Sequence, residues 1–120
     1  MSEANKIVDL LEAAIRAESL RQKTIASNMA NATTPGYRRV DVRFEELLSK
    51  ALDTSGPLNL QDIEAEIFAP HDTPVKGNGN DVHMEGEVGQ LVKNSLQHTA
   101  YIRLLKKKFS QIQQAINIRG

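Results

Sequence analysis

Cysteine and tryptophan are both absent from the chain, and the aromatic residues together make up 4% of its 120 positions. Without cysteine there are no disulfides, thiolate metal sites or thiol nucleophiles. With so few aromatics, a core must be built from aliphatic side chains along an extended seam or shared with other chains. Net charge is also missing: 15 basic residues balance 15 acidic ones, so no overall field draws in nucleic acid or a membrane. The opening residues Met1 to Ile7 lack a basic stretch followed by an apolar run, so a Sec-type signal peptide is not expected. No run approaches the roughly 18 apolar residues of a membrane span.

The two ends also lack helix breakers. All four prolines (Pro35, Pro57, Pro70, Pro74) lie between positions 35 and 74, and six of the seven glycines between 36 and 89, so residues 1–34 and 90–119 hold neither. Two helix-permissive ends therefore flank a breaker-rich centre. The expected fold is mainly α: one domain over residues 1–120, with two long antiparallel terminal helices in coiled-coil-like packing around an irregular, partly extended middle.

The C-terminal helix is expected over 82–118, roughly 55 Å long at 1.5 Å per residue. Met84, Val88, Leu91, Ser95, His98, Ile102, Leu105, Phe109, Ile112 and Ile116 recur at alternating steps of four and three, and eight of the ten are apolar. That is the seam of a coiled coil, and it needs a partner. The N-terminal helix, expected over 3–31, supplies one through Ile7, Leu11, Ile15, Ile25 and Met29, joined by Ala4, Ala14 and Ala32. An antiparallel pairing sets Ile15 opposite Thr99 to Ile102 and Leu11 near Leu105. Glu18, Arg21 and Gln22 interrupt the stripe, which suggests contact there with other chains or solvent.

The middle, 35–80, opens with Thr34-Pro35-Gly36, a firm helix stop because proline restricts its predecessor and glycine admits positive φ. Val40, Val42 and Phe44 alternate with charged residues, as in a short strand. Phe44 to Leu52 suits a short helix, ended by Ser55-Gly56-Pro57. Residues 58–70 fit no single element, and Asp81 is a candidate cap for the second long helix.

Asn28-Met29-Ala30-Asn31-Ala32-Thr33-Thr34-Pro35-Gly36-Tyr37 carries the identity. Physically, Asn31 can hold exposed helix carbonyls, Asn28 can bond the returning chain, and Tyr37 can cover the helix end. The run resembles the signature near the N-terminus of flagellar rod and hook proteins, at Asn28, Ala30, Asn31, Thr34, Gly36 and Tyr37, with Pro35 inside it. Within that family the chain looks most like the short proximal-rod class. Gly77-Asn78-Gly79-Asn80-Asp81-Val82 resembles the element preceding that class's last helix, and Lys93-Asn94, Tyr101, Leu104-Leu105 and Lys108-Phe109-Ser110 match the helix itself. A sister proximal-rod class shares the first motif. The resemblance implies a structural, non-enzymatic subunit in the periplasmic rod of the bacterial flagellar basal body, assembling helically and passing torque from rotor to hook. It implies export through the flagellar type III apparatus, without a Sec signal. Implied partners are copies of itself, other rod proteins and the adaptor joining rod to membrane ring. No cofactor, metal, nucleic acid or small-molecule substrate is implied.

Other signals fall away. His71, His83 and His98 have no ligand spacing. Asn78-Gly79-Asn80-Asp81 lacks the rest of a calcium loop. Lys106-Lys107-Lys108 with Arg103 has no aromatic platform for nucleic acid, and reads as a solvated or subunit-facing surface. Paired carboxylates such as Glu45/Glu46, Glu64/Glu66 and Glu85/Glu87 lack a companion base or nucleophile. The rival reading is a cytoplasmic coiled-coil adaptor or export chaperone. Burying the eight apolar seam residues gains far less than ordering the chain costs, which predicts that the isolated subunit is partly folded and completes folding on assembly.

Overall fold

A computed structural model describes residues 3–53 and 63–119; Ser55-Gly56-Pro57 lies outside the described residues, as do the side chains of Glu3, Ala4 and Arg119. Helix α1 runs Glu3–Ala30, strand β1 Asp41–Arg43, helix α2 Glu45–Asp53, strand β2 Glu66–Phe68 and helix α3 Met84–Arg119. The body is elongated, 66 × 30 × 14 Å, with a radius of gyration of 18.2 Å. A compact chain of this length would be nearer about 14 Å. The excess comes from the two long helices lying side by side.

Their antiparallel course is fixed by cross-contacts at successive heights. Asn28 reaches Glu87, Glu18 reaches Asn94, and Tyr101 packs on the alanine cluster of α1. At the far end, Ile7 and Leu11 share a small apolar pocket with Leu104 and the Lys108 stem. On the flank of α1, Ala13, Ala14 and Ala17 cluster with Val42 and Phe44, and Leu20, Leu48, Ile63 and Ala65 close the edge. Small side chains let the extended middle approach the helix closely, so one large ring, Phe44, fills the gap.

β1 and β2 pair antiparallel, with Asp41, Val42 and Arg43 opposite Phe68, Ile67 and Glu66. The second strand falls in the stretch for which the sequence favours no element: three residues with one apolar side half-covered carry too short a period to read. Arg43 lies over the Phe68 ring at 4.1 Å and ties the ribbon's two strands together.

The expected seam of α3 needs correction. Leu91, Ile102, Leu105 and Ile112 are half-buried, but Met84 and Val88 are each 50% exposed, Phe109 49% and Ile116 63%. The row that meets α1 starts one residue earlier, at Glu87, Asn94, Tyr101 and Lys108, alternating with Leu91, His98, Leu105 and Ile112. Hydrogen bonds set the rotation of α3 here, and they turn part of its apolar row outward. On α1, Leu11 and Ile25 are buried, Ile15 and Met29 half-buried, and Ile7 38% exposed. Ile15 lines an open groove with Leu20, Phe44 and Ile63.

Replacing Phe44 by Ala should leave a cavity that α1's alanines cannot fill and cost about 3–5 kcal/mol. The urea midpoint of the full chain reads this, and an unchanged midpoint would mean that the middle does not depend on the ring.

Candidate functional site

The most constrained region is the turn where α1 ends, the chain returns and α3 begins. Helix α1 stops because its last carbonyls find partners other than the next turn. The Asn31 side chain donates to Ser27 O at 2.9 Å, and Thr34 N donates to Asn31 O at 3.1 Å. Across the loop, Asn80 Nδ2 donates to both Asn31 O and Thr34 O at 2.8 Å, and Lys76 Nζ reaches Ala32 O at 3.1 Å. A cation and an amide thus hold the negative end of the α1 dipole.

The two loops cross at glycines. Gly36 (φ 75°) donates its amide to Asn78 O at 2.9 Å, and Gly79 (φ 84°) lies so close that a Cβ there would stand 3.3 Å from Gly36 Cα. Both positions need a left-handed backbone that side chains resist.

Asn28 is fully buried and uses its entire hydrogen-bonding capacity. Nδ2 donates to Val40 O at 2.9 Å and to Glu87 Oε2 at 3.1 Å, while Oδ1 accepts from Val40 N at 2.9 Å and Tyr37 Oη at 3.1 Å. One amide side chain joins α1, the returning strand and α3. Tyr37 Oη also meets Ser27 Oγ at 3.1 Å, closing the helix end.

Behind Asn28 lies an ion-pair network. Arg39 Nε donates to Glu87 Oε1 at 2.8 Å, and both residues are buried. Burial pulls the guanidinium's pKa down, but Glu87, Asp41 and Asp72 together hold it above its ordinary value, so it stays charged. Asp81 accepts from Arg39 N at 2.5 Å and from Arg38 Nε at 3.0 Å. Burial alone would raise its carboxyl; those two donors keep it below the usual carboxylate range. Asp81 therefore anchors the returning chain and does not cap α3, which begins three residues later with Glu87 N on His83 O at 3.0 Å.

A second polar cluster bridges the helices at mid-height. Glu18 is buried: Asn94 Nδ2 donates to its backbone carbonyl at 2.7 Å, and the Gln97 amide, with nitrogen facing α1, donates to Glu18 Oε1 at 3.0 Å. Arg21 links the Glu18 carboxylate to Glu45. Burial opposes ionisation of both Arg21 and Glu45, but their mutual bond raises the guanidinium's pKa and lowers the carboxyl's. Burial, with the nearby Glu18 and Glu45 charges, pushes the Tyr101 phenol up. Glu18 and Arg21 thus contact their own chain; only Gln22 of that turn is exposed.

Of the motif residues, Asn28, Asn31, Thr34, Gly36 and Tyr37 converge on this turn, whereas Ala30 and Pro35 stand exposed. Sequence reading missed Glu18, Arg39, Asn80, Glu87 and Asn94 as buried partners. A signal existed: Glu87, Asn94, Tyr101 and Lys108 recur every seven residues, just ahead of the apolar row. Arg43 pairs with Glu46 and Glu66, while Arg38 and Arg39 pair with Asp81 and Glu87 and not with Glu45 or Glu46. Among the described residues no three or more metal-ligating side chains converge, and no helix is long and apolar enough to cross a membrane.

A family model described as "Flagella basal body rod protein" matches residues 11–38, the span from mid-α1 through the asparagine motif. The chain is similar to the flagellar basal body rod protein FlgB of Bacillus subtilis, at 28% identity covering 97% of each chain. It is similar to that of Cereibacter sphaeroides at 31% identity, covering 80% of this chain and 82% of the relative. The Escherichia coli counterpart is 29% identical over 93% of this chain and 96% of its own length.

Asn28→Ala should orphan the Val40 amide and carbonyl and cost on the order of 3 kcal/mol, against about 1–2 kcal/mol for Gly79→Ala, which forces a Cβ into a left-handed backbone. Chemical denaturation checks both, and Gly79→Ala matching wild type would refute the crossing argument. Asp81, with its pKa depressed on folding, adds stability above the unfolded value of about 4, and loses it as pH falls through the lower folded value. Asp81→Asn should flatten that acid limb in melts below about pH 4.

Proposed function

The chain belongs to the FlgB family of flagellar basal body rod proteins, and from that premise we propose that it is a structural subunit of the proximal rod. The family places it in the flagellar basal body with a structural role. In our reading, the α1–α3 pair is the unit that stacks. Copies assemble helically with one another and with other rod proteins, beside the adaptor that joins rod to membrane ring. The middle segment lies outside or bridges neighbours, and the stack transmits torque from rotor to hook in the periplasm. The subunit reaches that site through the flagellar type III apparatus. The sister proximal-rod class is not favoured, because the relatives named above are FlgB proteins along nearly their whole length.

One observation carries this reading. Met84, Val88, Val92 and Leu96 form a row at steps of four along the first half of α3, each at least 50% exposed. A folded chain that turns such a row outward leaves a surface for another helix. The buried polar seam supports the same reading, because it fixes how α3 is rotated and therefore which face it offers.

Deleting the gene should abolish hooks and filaments, and the protein should co-purify with detergent-washed basal bodies. Asn31→Ala and Gly36→Val, which attack the helix stop, should fail to rescue. A chain found only in the soluble cytoplasmic fraction of swimming cells would point to an adaptor or export chaperone. The free subunit should melt broadly with partial helicity by circular dichroism; a sharp, fully helical transition would show that folding does not wait for assembly.

A further inference from the structure

Charge is segregated along the chain although its total is zero. Residues 41–87 hold eleven acidic against three basic residues, whereas Val88 to Gly120 hold six basic and no acidic ones. In the first of these stretches much of the acidity is matched by arginines from elsewhere: Arg21 takes Glu45, Arg38 takes Asp81, and Arg39 takes Glu87. Of the exposed carboxylates that remain, Glu46 and Glu66 flank Arg43. That single guanidinium stands 3.5 Å from Glu46 and 3.6 Å from Glu66, both largely exposed. Ile63 and Ala65 pack inward on the core, whereas Glu66 stands exposed on the face that carries Arg43. The outer face of the ribbon and α2 is left with two exposed carboxylates around one arginine.

The basic side is complementary in kind. Arg103, Lys106 and Lys107 are exposed on α3, and among the described residues none of them has an ion pair or hydrogen bond. Arg103 precedes Lys106 and Lys107 by three and four positions, so like charges neighbour one another on the helix and weaken it. The helix dipole does not offset this, because its effect is confined to the last turn and α3 continues to Arg119. Among the described residues the basic cluster has no counter-charge, and one arginine is shared by two carboxylates in the acidic one.

We propose that the Arg103–Lys106–Lys107 face of one copy docks on the Glu46–Glu66 face of a second copy. This rests on the assembly reading above and specifies one of its contacts. Two different patches meet, so the contact is heterologous, and repetition generates an open helical array in place of a closed dimer. A neutral subunit of segregated charge has what such an array needs: each copy carries both halves. The energy is Coulombic and solvent-exposed, so it serves orientation and register more than strength, and salt weakens it.

The test uses the full-length chain in sedimentation velocity. Association should weaken at least tenfold between about 50 mM and about 500 mM sodium chloride, as the screening length contracts to a few ångströms. Lys106→Glu/Lys107→Glu and Glu46→Lys/Glu66→Lys should each abolish low-salt association, and an equimolar mixture of the two should restore it. The neutral pair Lys106→Gln/Lys107→Gln should weaken association without being rescued by the lysine variant. Salt-indifferent association, or a mixture no better than its components, would overturn the contact. Recovery of the same chain in basal bodies reports separately on the rod reading, so the contact can fail while that reading stands.

Discussion

Asn28 is the point on which the architecture turns. An asparagine is a small side chain with two donors and two lone pairs, and here it is fully buried with all four engaged at 2.9–3.1 Å. Its partners come from three directions: Tyr37 at the helix end, Val40 on the returning strand and Glu87 on α3. A buried amide with such a set has no alternative pose, because each partner left behind would lie unsatisfied. An apolar residue of the same size would pack there but would not tell the three segments how to meet. Glu87 extends the constraint to Arg39, and Asp81 extends it from Arg39 to Arg38. The end of one helix, the path of the chain after it and the start of the other helix are thus set together.

That constraint explains a division of labour on α3. In an ordinary two-helix pair the greasy row faces the partner and polar residues face water. Here the upper half of the pair does the reverse. Glu87 and Asn94 are buried against α1, while Val88, Val92 and Leu96 stand outside. Polar contacts within the chain specify direction and register, and apolar surface is reserved. The arrangement separates the contacts that set the shape from the apolar surface left outside.

How much of this was legible follows from how each feature is encoded. The two helices were plain, because residues 1–34 and 90–119 hold neither proline nor glycine, and the bounds of α1 and α3 lie within two residues of those expected. Pro35-Gly36 marked the first stop, and alternation around Val42 marked β1. The rotation of α3 was not legible from hydrophobic period. Leu91, Leu105 and Ile112 belong to both candidate rows, and choosing between Val88 and Glu87 depends on Asn28, fifty-nine positions away. Ion pairs such as Arg39–Glu87 and Arg21–Glu45 are equally non-local, and nothing near them in sequence announces which carboxylate each arginine will take. The role given to Asp81 was misread for a related reason: a residue just before a helix suggests a cap, yet the nearby arginines compete for it more strongly.

The crossing of the two loops has a bearing on how the molecule can vary. With Gly79 seated against Gly36, the chain between them leaves and re-enters the helical pair at nearly one spot. Everything hung from that gate, including the ribbon and α2, is an excursion whose neck is already closed. The entropic cost of enlarging such an excursion grows only logarithmically, by about 0.6 kcal/mol for each doubling. A lineage could swell or shrink this outer bulge and keep the stem beneath it unaltered, provided the two residues at the neck stay without side chains.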